Sequence, residues 1–138
     1  MLKLIVGVKG SGKTKALINM VNEAVDRSKG SVVCVERDSK LRYNVKYQAR
    51  LVDTSSYAIE NADQLYGFIC GIYSNNYDVS DIFIDSALKI CNYDMKAFEA
   101  FISKAAEVAQ KNNINITVTA STDAATIPES IRHLMMKY

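Results

Sequence analysis

Residues Gly7-Val8-Lys9-Gly10-Ser11-Gly12-Lys13-Thr14 match the pattern G-x-x-x-x-G-K-[ST] at every fixed position, and they sit between an apolar run and a segment of helical period. That context constrains the chain more than any other feature. Leu2 to Val6 suits a buried parallel strand, and Lys15 to Arg27 repeats apolar residues at helical spacing, so the glycines must form a tight strand-to-helix turn. Gly7, Gly10 and Gly12 allow positive φ and let backbone N–H groups converge on an anion, with Lys9, Ser11 and Lys15 in the same wrap. The helix that follows points its partial positive charge and its unpaired donors at the same place. A polyphosphate is the ligand such a turn suits, with Lys13 reaching its outer phosphates and the Thr14 hydroxyl holding Mg²⁺.

The rest of the composition narrows the setting. A chain of 138 residues, 49% hydrophobic and 23% charged, has the makeup of one globular domain, and the whole of 1–138 is read as a single nucleotide-binding unit. The net charge of +2 comes from interspersed signs without a long basic run, so nothing resembles an electrostatic footprint for nucleic acid. Nucleic acid is compatible with the chain but unsupported by it. Cys34, Cys70 and Cys91 are odd in number and lack C-x-x-C spacing, which fits reduced cysteines among apolar neighbours. No apolar run approaches the roughly 18 residues of a membrane span, and the N-terminus enters the first strand directly. The expectation is a cytoplasmic protein with neither signal peptide nor membrane span.

Strand and helix signals alternate along the remainder. Ser31 to Glu36 is a β-branched run, Val45 to Asp53 has room for a short strand, and Asn61 is placed to cap a helix through about Tyr73. Asp81 to Asp85 reads as a buried strand ending in a carboxylate, Asp94 opens a helical pattern through about Asn112, and Ile114 to Ala120 is another strand. A last helix is expected from near Pro128. This order predicts an α/β fold, a three-layer sandwich with a mostly parallel central sheet flanked by helices.

Ligands in such sheets bind at the carboxyl ends of the strands, which singles out Glu36, Asp85, Thr119 and Ser121. Asp78 and Asp81 fall at the other end and read as turn residues. His133 is the only histidine, so histidine-based zinc sites and triads are hard to build. Tyr43, Tyr47 and Tyr57, near Arg37, Arg42 and Arg50, fit either a stacking surface for a base or half-buried positions in a sheet extension.

Through Gly7 to Thr14, and less specifically through Asp85, the chain resembles the P-loop NTPase superfamily, in particular its small RecA-like or thymidine-kinase-like members. The resemblance implies ATP and Mg²⁺ as cofactors, with phosphate bound by Gly10, Gly12, Lys13 and Thr14 and magnesium supported by Thr14 and Asp85. Asp85 then takes the Walker B position. Many additional-strand NTPases follow that aspartate with a catalytic glutamate, where this chain has Ser86. Glu36 is the substitute the resemblance offers, as in recombinase-like ATPases, so Lys13 and Glu36 are the candidate catalytic pair. Thr119 and Ser121 stand where related ATPases place a γ-phosphate sensor. Arg132, on the last expected helix, fits either a surface position or a reach to a phosphate in the same or a neighbouring subunit. Arg42-Tyr43 is similar to a pair in thymidine kinases, but this chain has no counterpart of their cysteine-rich zinc lasso. It also has no Asn-Lys-x-Asp motif of small GTPases. The implied function is ATP binding with slow or partner-activated hydrolysis. The alternatives are a nucleoside-type small-molecule kinase and a nucleotide-gated interaction module, the latter with a homo-oligomer or protein partner.

Overall fold

The computed structural model describes residues 1–138. In chain order it comprises β1 (Leu2–Gly7), α1 (Lys13–Arg27), β2 (Ser31–Glu36), β3 (Arg50–Asp53), α2 (Ala62–Asn75), β4 (Val79–Ile84), α3 (Ala87–Ile90), α4 (Met95–Asn112) and β5 (Asn115–Ser121). Short 3₁₀ turns occupy Thr54–Tyr57, Ala124–Thr126 and Glu129–Leu134. The strands form one five-stranded sheet in the order β1-β5-β4-β2-β3, and every neighbouring pair is parallel. Helices carry the chain back between strands, except from β2 to β3, where the irregular segment 37–49 makes the return.

Alternation along the strands divides the apolar residues between two faces. Val32 and Cys34 of β2 and Phe83 of β4 pack against Leu17, Val21 and Ala24 of α1, with Leu41, Val45 and Ala49 closing that side. Their neighbours Val33, Val35, Ile82 and Ile84 face the other way, onto Leu65 and Ile69 of α2 and Phe98 and Phe101 of α4. The result is a three-layer α/β sandwich. Its cores are unequal, with 27 buried residues on the α2 and α4 side against 9 under α1, so most of the apolar burial that stabilises the fold lies away from the α1 face. The Asn61 and Asp94 side chains accept from the N–H of Gln64 at 2.9 Å and of Ala97 at 3.1 Å, fixing the starts of α2 and α4.

Two local expectations change, and one element, α3, has no counterpart in the sequence reading. Asp81 lies within β4 rather than in a turn, where it is buried beside the Ser80 hydroxyl at 2.8 Å and the Arg27 guanidinium at 3.6 Å. The expected C-terminal helix is a 3₁₀ turn after Pro128, and the chain then runs beside β1, with Met136 N–H donating to the Leu4 carbonyl at 2.8 Å. α3 is too short to leave a periodic signal. All three cysteines are free thiols, and burial pushes that of Cys91 up to about 12. No helix is long and apolar enough to cross a membrane.

Phe98 is completely buried in the larger core. Phe98→Ala should lower the unfolding free energy by about 3–5 kcal/mol with little change in m-value, as read from urea denaturation.

Candidate functional site

Uniform parallel pairing delivers Gly7, Glu36, Asp53 and Ser121, the last residues of β1, β2, β3 and β5, to one rim of the sheet, together with Asp85, which follows β4. The glycine-rich loop closes over that rim. Gly10 and Gly12 have φ of 88° and 93°, a region that glycine enters without steric cost. Gly7 does not use positive φ, contrary to expectation. Its missing side chain instead leaves room for the hydroxyls of Ser11 and Tyr138, which a Cβ there would overlap. The Tyr138 hydroxyl donates to the Val6 carbonyl at 3.1 Å and shares a hydrogen bond with Ser11 Oγ at 2.9 Å, so the C-terminal residue braces the loop from behind. The N-terminus of α1 carries neither a capping side chain nor an acidic residue in its first turn, leaving its orphan donors and partial positive charge directed at the loop. Lys13 is 6% exposed, and its ammonium folds back to donate to the Val8 carbonyl at 3.0 Å, the hydrogen bond that makes this burial tolerable.

On the neighbouring strands, the register that pairs Ile84 with Val118 sets Asp85 beside Thr119. The buried Thr119 hydroxyl donates to Asp85 Oδ1 at 2.8 Å and accepts from the Ser86 N–H at 2.8 Å. Thr119 therefore orients Asp85 from beneath, and of the two residues read as sensors only Ser121 reaches the cavity.

The cavity has a volume of about 530 Å³, within the range of small-ligand sites. Lys9, Lys13, Thr14 and Lys15 line it on the loop side, Asp85 and Ser121 at the rim, and Lys40, Lys89 and Tyr93 opposite. Magnesium binds through one or two protein oxygens, substrate phosphates and water, so the Thr14 hydroxyl and Asp85 carboxylate in one cavity fit that ion. No cluster of three or more His, Cys, Asp or Glu stands ready to hold a metal unaided.

The opposite wall is built differently from the glycine loop. Asp38 and Ser39, Ser86, and Asn92 and Tyr93 all have φ between 50° and 77°, a conformation costing a non-glycine residue about 1–2 kcal/mol. Each strained segment is held by specific partners. Asp53 accepts from Asp38 N–H and Ser39 Oγ, each at 3.0 Å, and from the Ser55 hydroxyl at 2.7 Å. These donors, Ser55 foremost, hold its carboxyl down at about 2. Asn92 Nδ2 donates to the Glu60 carbonyl at 2.6 Å and Tyr93 N–H to the Leu88 carbonyl at 2.8 Å.

Glu36 departs from its expected role as a base. It is 1% exposed, lies outside the cavity lining, and accepts from the N–H of Lys40 at 2.7 Å and from that of Leu41 at 3.2 Å. Burial, reinforced by Asp85 and Asp53, pushes its carboxyl above the usual range while these backbone bonds pull it down. It is a clamp on the segment carrying Lys40. Arg132 is likewise occupied, donating to the Ala125 carbonyl at 2.9 Å and paired with Glu129 at 3.5 Å. His133 is exposed. Tyr43, Tyr47 and Tyr57 are all exposed, with the Arg42 guanidinium 4.8 Å from the Tyr43 ring centre and one side of Tyr57 against Phe68. Lys40, Lys89, Tyr93 and Tyr138 belong to no motif, and only the folded chain brings them to the site.

No protein-family model matches the chain, and no curated protein matches it. Among solved structures it is similar to PCH-2 of C. elegans, with 15% sequence identity and a TM-score of 0.57 over 97% of this chain and 33% of that one. The chain thus spans about a third of that protein, and the likeness is one of fold.

Thr119→Val should leave the Ser86 N–H without its acceptor and free the Asp85 carboxylate, costing about 1–3 kcal/mol of stability. Thr119→Ser, which keeps the hydroxyl, should retain most of that stability in the same denaturation experiment.

Proposed function

We propose that the chain binds a nucleoside triphosphate, ATP in the first instance, together with Mg²⁺, and that on its own it hydrolyses the nucleotide slowly. The observation that carries this reading is the convergence of Lys13, Thr14 and Asp85 with the bare N-terminus of α1 on one cavity at the strand ends. Backbone donors of residues 10–14 would hold the β-phosphate, as helix N-termini and glycine-built nests do. Lys13 would exchange the Val8 carbonyl for phosphate oxygens, a change from a neutral to a charged acceptor that strengthens the bond. Thr14 and Asp85 would hold Mg²⁺, which when bound neutralises charge on the β- and γ-phosphates. The insertion of β5 between β1 and β4 is in keeping with the additional-strand class of P-loop NTPases, which we take as the family of this fold.

Slow turnover follows from what the nearby acids are doing. Hydrolysis needs a group that orients or deprotonates water, yet Glu36 is committed to the backbone of Lys40 and Leu41, and Ser86 stands directly after Asp85. Calorimetric titration should give magnesium-dependent ATP binding to the wild type and its loss in Lys13→Ala. Asp85→Asn should reduce the magnesium dependence more than the affinity for free nucleotide. A folded wild type that takes up neither Mg-ATP nor Mg-GTP would overturn the reading. So would steady-state turnover above about 1 s⁻¹ by the isolated chain, which is ordinary enzyme speed.

A further inference from the structure

The wall facing the phosphate loop has its own chemistry. Lys40 enters it from the segment after β2, and Lys89 and Tyr93 from the segment after β4. The cavity therefore gathers five lysines, Lys9, Lys13, Lys15, Lys40 and Lys89, against the single carboxylate of Asp85. A magnesium-bound triphosphate carries about two net negative charges at neutral pH, so roughly two positive charges are left without a partner. The wall is also held in place at a conformational cost. Five non-glycine residues adjoining these side chains, Asp38, Ser39, Ser86, Asn92 and Tyr93, take left-handed conformations, and Glu36 spends a buried carboxylate on the N–H groups of Lys40 and Leu41. Backbone strain that is fixed this firmly points to a functional wall.

We propose that Lys40, Lys89 and Tyr93 form a second subsite, opposite the phosphate loop, that takes a phosphate monoester as the acceptor of the γ-phosphoryl group. The inference rests on the triphosphate reading and names the co-substrate of the same cavity. A monoester carries about 1.5 to 2 negative charges at pH 7, which matches the surplus. It also removes the need for a base. An ionised phosphate oxygen of the acceptor forms a bond to the γ-phosphorus while the bond from γ-phosphorus to the bridging oxygen breaks, its electron pair leaving with the nucleoside diphosphate. The products are the diphosphate and a pyrophosphate ester, and no proton changes hands. A hydroxyl acceptor or water would have to lose a proton, and the buried Glu36 is occupied as a clamp. Tyr93, 62% exposed at the cavity, offers a ring face to the body of the acceptor.

The test separates the two readings by using two probes in sequence. Wild-type protein is first titrated with Mg-AMP-PNP, whose γ-phosphoryl group is not transferred. The saturated complex is then titrated with AMP and with inorganic phosphate, adenosine serving as the uncharged control. AMP and phosphate should bind the loaded protein and adenosine should not. The Lys40→Ala/Lys89→Ala variant should weaken phosphate and AMP binding by roughly tenfold or more, while Mg-AMP-PNP weakens by less than about threefold. Lys89→Arg should stay close to wild type. With Mg-ATP in place of the analogue, at least one phosphate monoester among AMP, dTMP and glucose 6-phosphate should accelerate ADP formation. The proposal is overturned if neither phosphate nor AMP binds the loaded wild type, if the double variant binds them unchanged, or if it loses Mg-AMP-PNP to the same extent. Failure of Mg-AMP-PNP to bind at all removes the triphosphate reading itself, and the first titration reports that directly.

Discussion

Parallel pairing throughout the sheet is the constraint on which everything at the site depends. It sends five strand ends to one rim, and the position of β5 decides which of them meet. Because β5 lies between β1 and β4, its Thr119 stands between the glycine-loop strand and the strand that leads into Asp85. One hydroxyl there meets two demands at once, giving its proton to Asp85 and receiving that of Ser86. An apolar residue at that position would satisfy the β5 pattern equally well and would leave the carboxylate unoriented. Thr119, one of two buried threonines in β5, is thus tied to the site rather than to the core.

The two walls of the cavity solve the same backbone problem by opposite means. The loop side uses Gly10 and Gly12, for which left-handed φ is cheap, and so places N–H groups close to a ligand without side chains in the way. The far side must present side chains, and there the chain accepts strained Asp, Ser, Asn and Tyr residues. The carboxylates of Asp53 and Glu36 and the amide of Asn92 hold them in place. A backbone-reading wall and a side-chain-reading wall suit different partners: the first a polyphosphate gripped by its oxygens, the second a ligand selected by its charge.

How much of this was legible in the sequence depends on the range of the interaction involved. Local signals served well: β2 spans Ser31–Glu36 as its β-branched run suggests, Asn61 and Asp94 cap α2 and α4, and the glycine loop stands between β1 and α1. What failed depends on how irregular segments curl or on contacts between distant parts of the chain. Nothing near Glu36 in the chain announces that its carboxylate will be consumed by backbone N–H groups four and five residues on, because that bond depends on segment 37–41 curling back over the strand end. Lys40 and Lys89 look like ordinary surface lysines, and only the strand order places them across one cavity. Asp81 misled because a buried carboxylate inside a strand needs Arg27 and Ser80, and Arg27 lies far away in sequence. Tyr138 gives no sign of its contact with Ser11, which forms only after the tail has joined the edge of β1.

The three acids on the rim show how position sorts residues of similar chemistry into different work. Asp53, Glu36 and Asp85 follow or end adjacent strands, with Asp53 and Glu36 in direct register. Asp53 meets hydroxyl and backbone donors at the exposed edge, and its carboxyl is held down at about 2, a permanent anion that ties segment 38–39 to the turn after β3. Glu36, one strand further in, is desolvated and pushed upward, and its neighbours on either side add to that push. Only Asp85 is half-buried and open to the cavity, with one oxygen steadied by Thr119. A base is most useful when its protonation can change without loss of structure, and Glu36 is bound into the very loop that such a change would disturb. The rim therefore has one carboxylate suited to a metal, one suited to a turn and one suited to a clamp, and the positive charge arrayed around them suits a chemistry in which the nucleophile arrives already ionised.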